Sequence, residues 1–238
     1  MNDHRASGEG IVSEDDAGDT VQYYKKDFWS QENLKFSRPW YRLEKLVRVI
    51  NKVAQGRECT LLDVGCGPAA LMHHLPPNVE YYGIDIAIHE PAPNLIEADL
   101  LESPIRFGDK KFDIVIAQGV FEYLGEFQSQ KFSEIAQVLN GHGKFIVTYT
   151  NFGHRKRFIY EPFSNIQSFD QFHSDLARHF TVDKYFPSSH NWKHGHPGRK
   201  LVKAANMFVN VNIPFISPKL AVEYLFICSP RQSSTSSA

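Results

Sequence analysis

The sequence predicts an α/β protein, built as a seven-stranded, mostly parallel sheet with helices on both faces. Apolar runs of strand length alternate with segments of helical periodicity, which is the pattern of a parallel sheet with crossover helices. The first such run, residues 60–64, breaks into glycines where a helix should begin, and such sheets bind ligands at that point. With 238 residues, of which 42% are apolar and 22% charged, the chain can form one domain with a sizeable core.

The first predicted element is an amphipathic helix ahead of the first strand. Apolar residues recur at helical spacing from Tyr41 to Ile50, and Gly56 is placed to end this helix. The preceding segment is too aromatic for a free tail, since it contains Tyr23, Tyr24, Phe28 and Trp29. We therefore expect residues 21–57 to form a helical lid that covers the binding site.

The strand at 60–64 is followed by Gly65 and Gly67, which can take backbone angles closed to other residues and have no Cβ. A short helix is expected over residues 68–75, with Pro68 in its first turn, where a missing N–H costs nothing. The free N–H groups of that turn would face a ligand lying against the glycines.

Further strands and helices follow along the chain. Apolar runs predict strands at residues 79–85, 180–186 and 221–228, and helical spacing predicts helices at 127–139 and 168–179. A capping box that starts at Ser168 opens the second of these helices. Residues 187–220 are far more than a hairpin needs, so we expect an inserted substrate wall there, with a helix over 201–209.

The glycine segment alone fits two classes of ligand. Gly65-x-Gly67-x-x-Ala70 matches a dinucleotide fingerprint, with Asp85 at the end of the second strand, 20 positions after Gly65. Asp63 separates the two classes, because a carboxylate two positions before the first glycine repels a pyrophosphate and attracts a cationic ligand. S-adenosylmethionine is such a ligand, since it carries a sulfonium and an ammonium group.

From Asp63 onwards the chain resembles the class I S-adenosylmethionine-dependent methyltransferases of the small-molecule type. Residues 63–67 match their acidic x-G-x-G motif, with Ala69 in place of the third glycine, and residues 83–86 match the strand end whose acid binds the ribose hydroxyls. Residues 96–100 are similar to the strand end whose aspartate meets the adenine amino group. Residues 112–119 resemble the fourth strand, which walls the site, and residues 141–148 resemble the turn into the fifth.

The resemblance implies a Rossmann-like three-layer α/β/α sandwich whose last strand is antiparallel. It also implies a set of cofactor-binding residues: Asp63, Gly65, Cys66, Gly67, Asp85, Ile86, Asp99, Leu100, Gln118 and Tyr24. The three aspartates have structural alternatives, since Asp63 could cap backbone amides, Asp85 could cap the following turn, and Asp99 could N-cap a helical turn. Their places at successive strand ends favour ligand binding.

Methyl transfer requires alignment of the reacting atoms, exclusion of water and removal of a proton. Histidine has a suitable pKa, and His190, His194 and His196 lie in the predicted wall. We favour His190 and His194 as catalytic, because His196 precedes Pro197 in a turn; surface histidines without a role remain an equal alternative. No Asp, Glu or Cys lies near them, so we expect no metal site.

A third catalytic candidate follows the fourth strand. Glu122 and Tyr123 lie where many proteins of the resembling family carry an acidic residue followed by histidine. Tyr123 could orient the acceptor by hydrogen bonding, and an aromatic packing role is equally open.

Composition and local sequence restrict the chemical class of the methyl acceptor. With 26 basic and 27 acidic residues, the chain has no broad electrostatic footprint for nucleic acid, and residues 117–120 lack the clamp that holds a flipped base. Residues 150–203 contain nine Lys or Arg against four acids, which fits a solvated face or an anionic acceptor. We therefore expect a small-molecule acceptor, aromatic or anionic, and no nucleic acid.

Further expectations concern the surroundings of the domain. Three cysteines without metal spacing suggest reduced thiols in a cytoplasmic protein, and no segment reads as a membrane anchor. We expect a monomer or homodimer with one domain at 21–230 and disordered tails at 1–20 and 231–238. The expected activity is O- or N-methylation; the alternatives are a nicotinamide-dependent oxidoreductase and a non-catalytic S-adenosylmethionine-binding partner subunit.

Overall fold

The computed structural model describes residues 41–88, 90–151, 167–190, 208–217 and 221–231. Within these ranges three α-helices and seven strands occur along the chain. The helices are α1 (Tyr41–Ala54), α2 (Gln128–Val138) and α3 (Phe169–His179). The strands are β1 (Cys59–Val64), β2 (Val79–Asp85), β3 (Leu95–Glu97), β4 (Phe112–Ala117), β5 (Leu139–Thr150), β6 (Phe180–His190) and β7 (Ala221–Pro230).

The seven strands form one sheet in the order β3-β2-β1-β4-β5-β7-β6. The pairs from β3 to β5 are parallel, whereas β7 runs antiparallel to both β5 and β6. The chain runs outward from β1 through β2 to β3 and then crosses to β4 on the other side of β1, so β1 and β4 flank the point where the strand order switches. The predicted α/β class, with a mostly parallel sheet and an antiparallel last strand, is confirmed.

Helices cover both faces of the sheet. On one face α1 buries Leu46, Val49 and Ile50 against apolar residues of β1, β4 and β5. On the other face α2 and α3 bury an aromatic cluster, in which Phe121 stacks on Phe132 with ring centroids 4.5 Å apart. The two apolar clusters hold the sheet between them.

Several predicted boundaries were wrong. The segment after the glycines is a 3-10 turn over Ala70–His74 and not a helix over 68–75, because Ala69 takes left-handed backbone angles (φ 52°, ψ 28°) that interrupt any helix from Pro68. Helix α2 ends at Val138, and β5 begins at once with Leu139.

Strand β6 continues to His190, so the first residues of the predicted wall at 187–220 belong to the sheet. The helix predicted at 201–209 lies outside the described residues except for Phe208 and Val209, of which only Phe208 is helical. The part of the predicted lid before residue 41 and both predicted tails, apart from Arg231, also lie outside them. Among the described helices none is long and apolar enough to cross a membrane.

Candidate functional site

The ends of the parallel strands meet at one edge of the sheet. Strands β1, β2, β3 and β4 end there, and the residues predicted to bind a cofactor follow these ends in turn. Because β7 is antiparallel, its first residues lie at the same edge, beside the last residues of β5 and β6. The edge therefore has two halves, one built by β1 to β4 and the other by β5, β7 and β6.

The loop after β1 is held close to its neighbours. The backbone N–H groups of Gly65 and Cys66 both donate to the carbonyl oxygen of Ile84, at 2.8 and 3.2 Å. Gly65 has a φ of +73°, and a Cβ at this position would lie 2.2 Å from Cγ2 of Val120. The chain thus needs glycine at position 65, both for the backbone angle and for the approach of the segment after β4.

Asp85 orders this loop from the end of β2. Its buried carboxylate accepts a hydrogen bond from the backbone N–H of Gly67 at 2.7 Å, and another from that of Ala87 at 3.2 Å. The predicted capping alternative is therefore present in the structure. Ile86 follows at the same strand end and is half-buried.

Asp63 is also buried, and it accepts a hydrogen bond from the hydroxyl of Tyr81 on β2 at 2.9 Å. Burial raises the pKa of Asp63 to about 7; the hydrogen bond from Tyr81 opposes this rise, and the charge of Asp85 adds to it. A positively charged ligand near Asp63 would restore its ionised form.

Cys66 packs beneath the loop against β2. A Cβ on Gly83 would lie 2.8 Å from Sγ of Cys66, so the absence of a side chain at position 83 makes room for the thiol. Burial raises the pKa of the Cys66 thiol, which keeps it protonated. Cys66 is therefore a packing residue of the loop. All three cysteines are free.

Asp99 and Leu100 follow β3. Oδ1 of Asp99 accepts a hydrogen bond from the backbone N–H of Leu101 at 2.9 Å, and the carbonyl oxygen of Asp99 accepts from Ser103 at 2.7 Å. Asp99 therefore caps a turn, as the structural alternative predicted. Leu100 is buried beside the core of the α2 and α3 face.

The residues after β4 link the two halves of the edge. Gln118 is half-buried, and the backbone N–H of Gly119 donates to the hydroxyl of Thr148 on β5 at 3.0 Å. A 3-10 turn follows over Phe121–Tyr123, in which Glu122 is buried and Tyr123 is half-buried.

Glu122 belongs to an acidic group that the sequence analysis missed. Oε1 of Glu122 accepts hydrogen bonds from the backbone N–H and the hydroxyl of Thr150, both at 2.8 Å. Glu223, which pairs with Thr150 across β5 and β7, is buried too and accepts a hydrogen bond from the hydroxyl of Ser188. Burial raises the pKa of Glu122 to about 7, and the charge of Glu223 contributes to this rise. The available signal was Glu223 itself, the one acid within the apolar run of β7.

Of the histidines predicted in the wall, the structure describes only the backbone of His190. His190 is the last residue of β6 and pairs with Ala221, which puts its backbone at the same edge of the sheet. The side chain of His190, together with His194, His196 and Tyr24, lies outside the described residues. Within the described part of the chain, no cluster of three or more His, Cys, Asp or Glu could hold a metal ion.

This arrangement suits a ligand with positive charge that lies along the main chain. Two buried carboxylates, Asp63 and Asp85, flank a glycine loop in which Gly65 lies directly against Val120.

Residues 62–147 match a family model described as a methyltransferase domain. No curated protein matches the sequence significantly. Many solved structures align with the chain. Among them, the N-methyltransferase NodS from Bradyrhizobium japonicum WM9, in complex with S-adenosyl-L-homocysteine, aligns with a TM-score of 0.58 at 9% identity, over 91% of this chain and all of that one.

Two further structures have comparable similarity. An S-adenosylmethionine-dependent methyltransferase from Clostridium acetobutylicum ATCC 824 aligns with a TM-score of 0.57 at 9% identity, over 84% of this chain and 96% of that one. A TehB-like methyltransferase from Corynebacterium glutamicum ATCC 13032 aligns with a TM-score of 0.53 at 12% identity, over 92% of this chain and 100% of that one. At such low identities these similarities show the fold alone.

Proposed function

We propose that this chain transfers a methyl group from S-adenosylmethionine to an O or N atom of a small-molecule acceptor, because residues 62–147 match a methyltransferase-domain model and the fold is similar to that of methyltransferases. The bound cofactor supplies a methyl group activated by its sulfonium. The observation that carries the proposal is the convergence of Asp63, Asp85 and the glycine loop at one edge of the sheet, where the family match also lies.

The described residues fit this cofactor. Gly65 lets the loop after β1 approach Val120, because a Cβ at position 65 would collide with that side chain. In the proposed roles Asp85 binds the ribose hydroxyls, Asp99 lies near the adenine, and Asp63 attracts the positively charged end of the ligand. The backbones of Cys66 and Gly67 line the loop, and Ile86, Leu100 and Gln118 are proposed as walls. Tyr24 is proposed to close over the ligand from the segment that precedes residue 41.

The half of the edge formed by β5, β7 and β6 is the proposed acceptor side. It adjoins the cofactor side through the residues after β4, because Gly119 is bonded to Thr148. His190 has its backbone at this edge and is a proposed proton acceptor, with His194 further along the same segment. Tyr123 is proposed to orient the acceptor.

Two parts of the chain favour acceptors of opposite charge. The basic residues of 150–203 favour an anionic acceptor, and most of them lie outside the described residues. The described residues on the acceptor side include the buried acids Glu122 and Glu223, which favour a cationic one. An aromatic acceptor is compatible with either charge.

The competing functions differ in their ligands. A nicotinamide-dependent oxidoreductase is disfavoured because Asp63 would face a pyrophosphate and because the family match is to a methyltransferase domain. A non-catalytic partner subunit would bind the same cofactor without transferring the methyl group.

Calorimetry with S-adenosylhomocysteine and NADH tests the cofactor, and transfer of a radiolabelled methyl group to a small-molecule extract tests turnover. We expect binding of S-adenosylhomocysteine, no binding of NADH, and label in the extract. Tight binding of NADH without binding of S-adenosylhomocysteine would refute the proposal. Cofactor binding without label in any fraction would instead favour the partner subunit.

A further inference from the structure

Glu122 has one carboxylate oxygen whose hydrogen bonding the described structure leaves unsatisfied. The side chain is 2% exposed, and Oε1 accepts both hydrogen bonds from Thr150. Oε2 is buried as well and has no hydrogen-bond partner among the described residues. A buried acceptor without a donor costs about 1 to 3 kcal/mol, and more when it is charged. Such an oxygen is the place where a ligand could supply the missing donor.

A second buried carboxylate stands next to it. Glu223 is opposite Thr150 in the register of β5 and β7, so the residue that binds Glu122 is also the strand partner of Glu223. Glu223 is 3% exposed and accepts a hydrogen bond from the buried hydroxyl of Ser188 on β6. The charge of Glu223 acts on Glu122, so a cation or a proton near Glu122 is favoured.

Lys45 of α1 is a described cation close enough to interact with Glu223, but it leaves Oε2 of Glu122 without a donor. Its ammonium donates to the carbonyl oxygens of Pro187 at 2.8 Å and Val209 at 3.5 Å. It also lies 4.9 Å from the ring centroid of Phe186. Lys45 therefore fastens α1 to the end of β6 and to the segment before β7.

A purely structural role explains only part of this arrangement. Glu122 caps the end of β5 through Oε1, and one oxygen is sufficient for that purpose. Capping does not account for Oε2 of Glu122, which is buried without a donor among the described residues. The placement of both acids at the acceptor side of the edge gives them a common purpose.

We propose that Glu122 and Glu223 recognise the acceptor and select a small molecule that carries a primary or secondary ammonium group. This inference rests on the proposed function, because it names the substrate class of the same site. An N–H of the acceptor donates to Oε2 of Glu122, while Thr150 and Ser188 hold the two carboxylates in place.

The acid pair also takes part in the proton balance of the reaction. For an ammonium acceptor the pair, and not His190, takes one proton, and the acceptor becomes a neutral amine. The lone pair of its nitrogen then forms the bond to the methyl carbon as the carbon–sulfur bond breaks, and the electrons of that bond return to sulfur. The product leaves as a methylated ammonium ion, and the proton held by the pair passes to solvent.

Binding of three matched probes to the protein saturated with S-adenosylhomocysteine tests the selection. The probes are 2-phenylethylamine, 2-phenylethanol and phenylacetate, which share a ring and differ in the charge of the terminal group. We expect ligand-observed NMR to show at least tenfold tighter binding of the amine. In Glu122→Gln and Glu223→Gln this preference should disappear, while affinity for S-adenosylhomocysteine stays within about twofold of wild type.

Glu126→Gln is the matched control, because Glu126 is exposed in the 3-10 turn next to Glu122 and should keep the preference for the amine. Equal binding of the three probes, tighter binding of the alcohol or the acid, or binding of none would overturn the inference. So would an amine preference that survives both substitutions. The proposed function would stand in each case if S-adenosylhomocysteine binds and labelled methyl is transferred, and it would fail separately if S-adenosylhomocysteine does not bind.

The charge of the labelled product gives a second readout that does not depend on the choice of probe. After methyl transfer to a small-molecule extract, we expect the labelled product to be retained on a cation-exchange resin at pH 7. Label that appears only in neutral or anionic fractions would overturn the amine class while leaving the methyltransferase activity in place.

Discussion

At the scale of single residues, Asp85 has both a structural and a proposed binding role. Its carboxylate holds the N–H groups of Gly67 and Ala87, and the same oxygens are proposed to meet the ribose. Asp85→Ala should lower the affinity for S-adenosylhomocysteine roughly 10- to 100-fold, or by about 1.5 to 3 kcal/mol, because a charge-assisted contact and the order of the loop are lost together. Isothermal titration calorimetry measures this change.

Asp109→Ala is the control for Asp85, since Asp109 is an exposed acid in the loop before β4. It should bind S-adenosylhomocysteine as wild type does. If Asp85→Ala keeps the affinity of the control, Asp85 has no part in cofactor binding. Circular dichroism of both variants checks that the fold is retained.

Asp63 predicts a dependence of ligand binding on pH. Its folded pKa is raised to about 7, and a cationic ligand requires the ionised carboxylate, so affinity should rise as the pH rises. For a group with a pKa of 7 the ionised fraction grows about tenfold between pH 6 and pH 8, and affinity should follow. Asp63→Asn should flatten this profile, and a wild-type profile that is already flat would contradict the assignment.

The same shift has a consequence for stability. Because the folded pKa of Asp63 lies above its unfolded value of 3.8, Asp63 lowers the free energy of unfolding as the pH rises from about 4 to about 7. Below that window both states are protonated, and the cost disappears. Urea unfolding of wild type and Asp63→Asn at pH 4 and pH 7.5 should show a smaller loss of stability in the variant.

At the scale of elements, the loop after β1 depends on its contact with the segment after β4. Gly65→Ala should lower the free energy of unfolding by about 2 kcal/mol or more, because the new methyl group meets Val120 in addition to the strain of a positive φ. S-adenosylhomocysteine binding should weaken as the loop moves. Thermal unfolding and calorimetry report the two effects.

Gly108→Ala separates the strain of a positive φ from the contact with Val120. Gly108 has a φ of +58°, and a Cβ there meets no atom within 4 Å, so this variant should lose only about 1 kcal/mol and keep its ligand affinity. The double variant Gly65→Ala/Val120→Ala should recover part of the stability. If Gly65→Ala and Gly108→Ala lose the same amount, the approach of Val120 does not matter.

The lid prediction belongs to the chain that precedes α1. A truncated protein that begins at residue 36 should bind S-adenosylhomocysteine more weakly and turn over more slowly, because the aromatic segment with Tyr23, Tyr24, Phe28 and Trp29 would no longer exclude water. A protein that begins at residue 19 should match the full chain in both measurements. Unchanged affinity and turnover in the shorter protein would end the lid hypothesis.

At the scale of the whole molecule, the sequence predicted the order and type of most elements. Strand-length apolar runs, such as 79–85, are local signals that burial in a sheet preserves, so β2 was predicted at its observed bounds. The extension of β6 through Pro187 was not predictable from this pattern, since proline normally argues against a strand. The structure tolerates it because β6 is the edge strand of the sheet.

The residues of the candidate site also divide into those that the sequence could predict and those that it could not. Asp63, Gly65 and Gly67 are neighbours in sequence, so their motif was visible before the fold was known. Glu122 and Glu223 are joined only by the register of β5 and β7, which depends on packing across the whole sheet. For the same reason the 3-10 turn was missed, because the left-handed angles of Ala69 arise from the way the loop is tied to β2.

The middle position of β7 makes the sheet depend on its last strand. A protein ending at Ser217 should fail to unfold cooperatively and should aggregate, because β5 and β6 would each lose their shared partner. A protein ending at Arg231 should match the full chain in urea unfolding and size-exclusion chromatography. A soluble, cooperative protein without β7 would contradict this dependence.

This strand order also affects the protein while the ribosome is making it. Residues 59–117 can pair as soon as they emerge, so the cofactor half of the edge is able to form early in synthesis. The side of β5 that faces β7 stays unpaired until residue 221 and its successors have left the exit tunnel. Nascent chains stalled between β6 and β7 are therefore the ones that should need protection by chaperones, and the acid pair of the acceptor half is completed only after β7 has emerged.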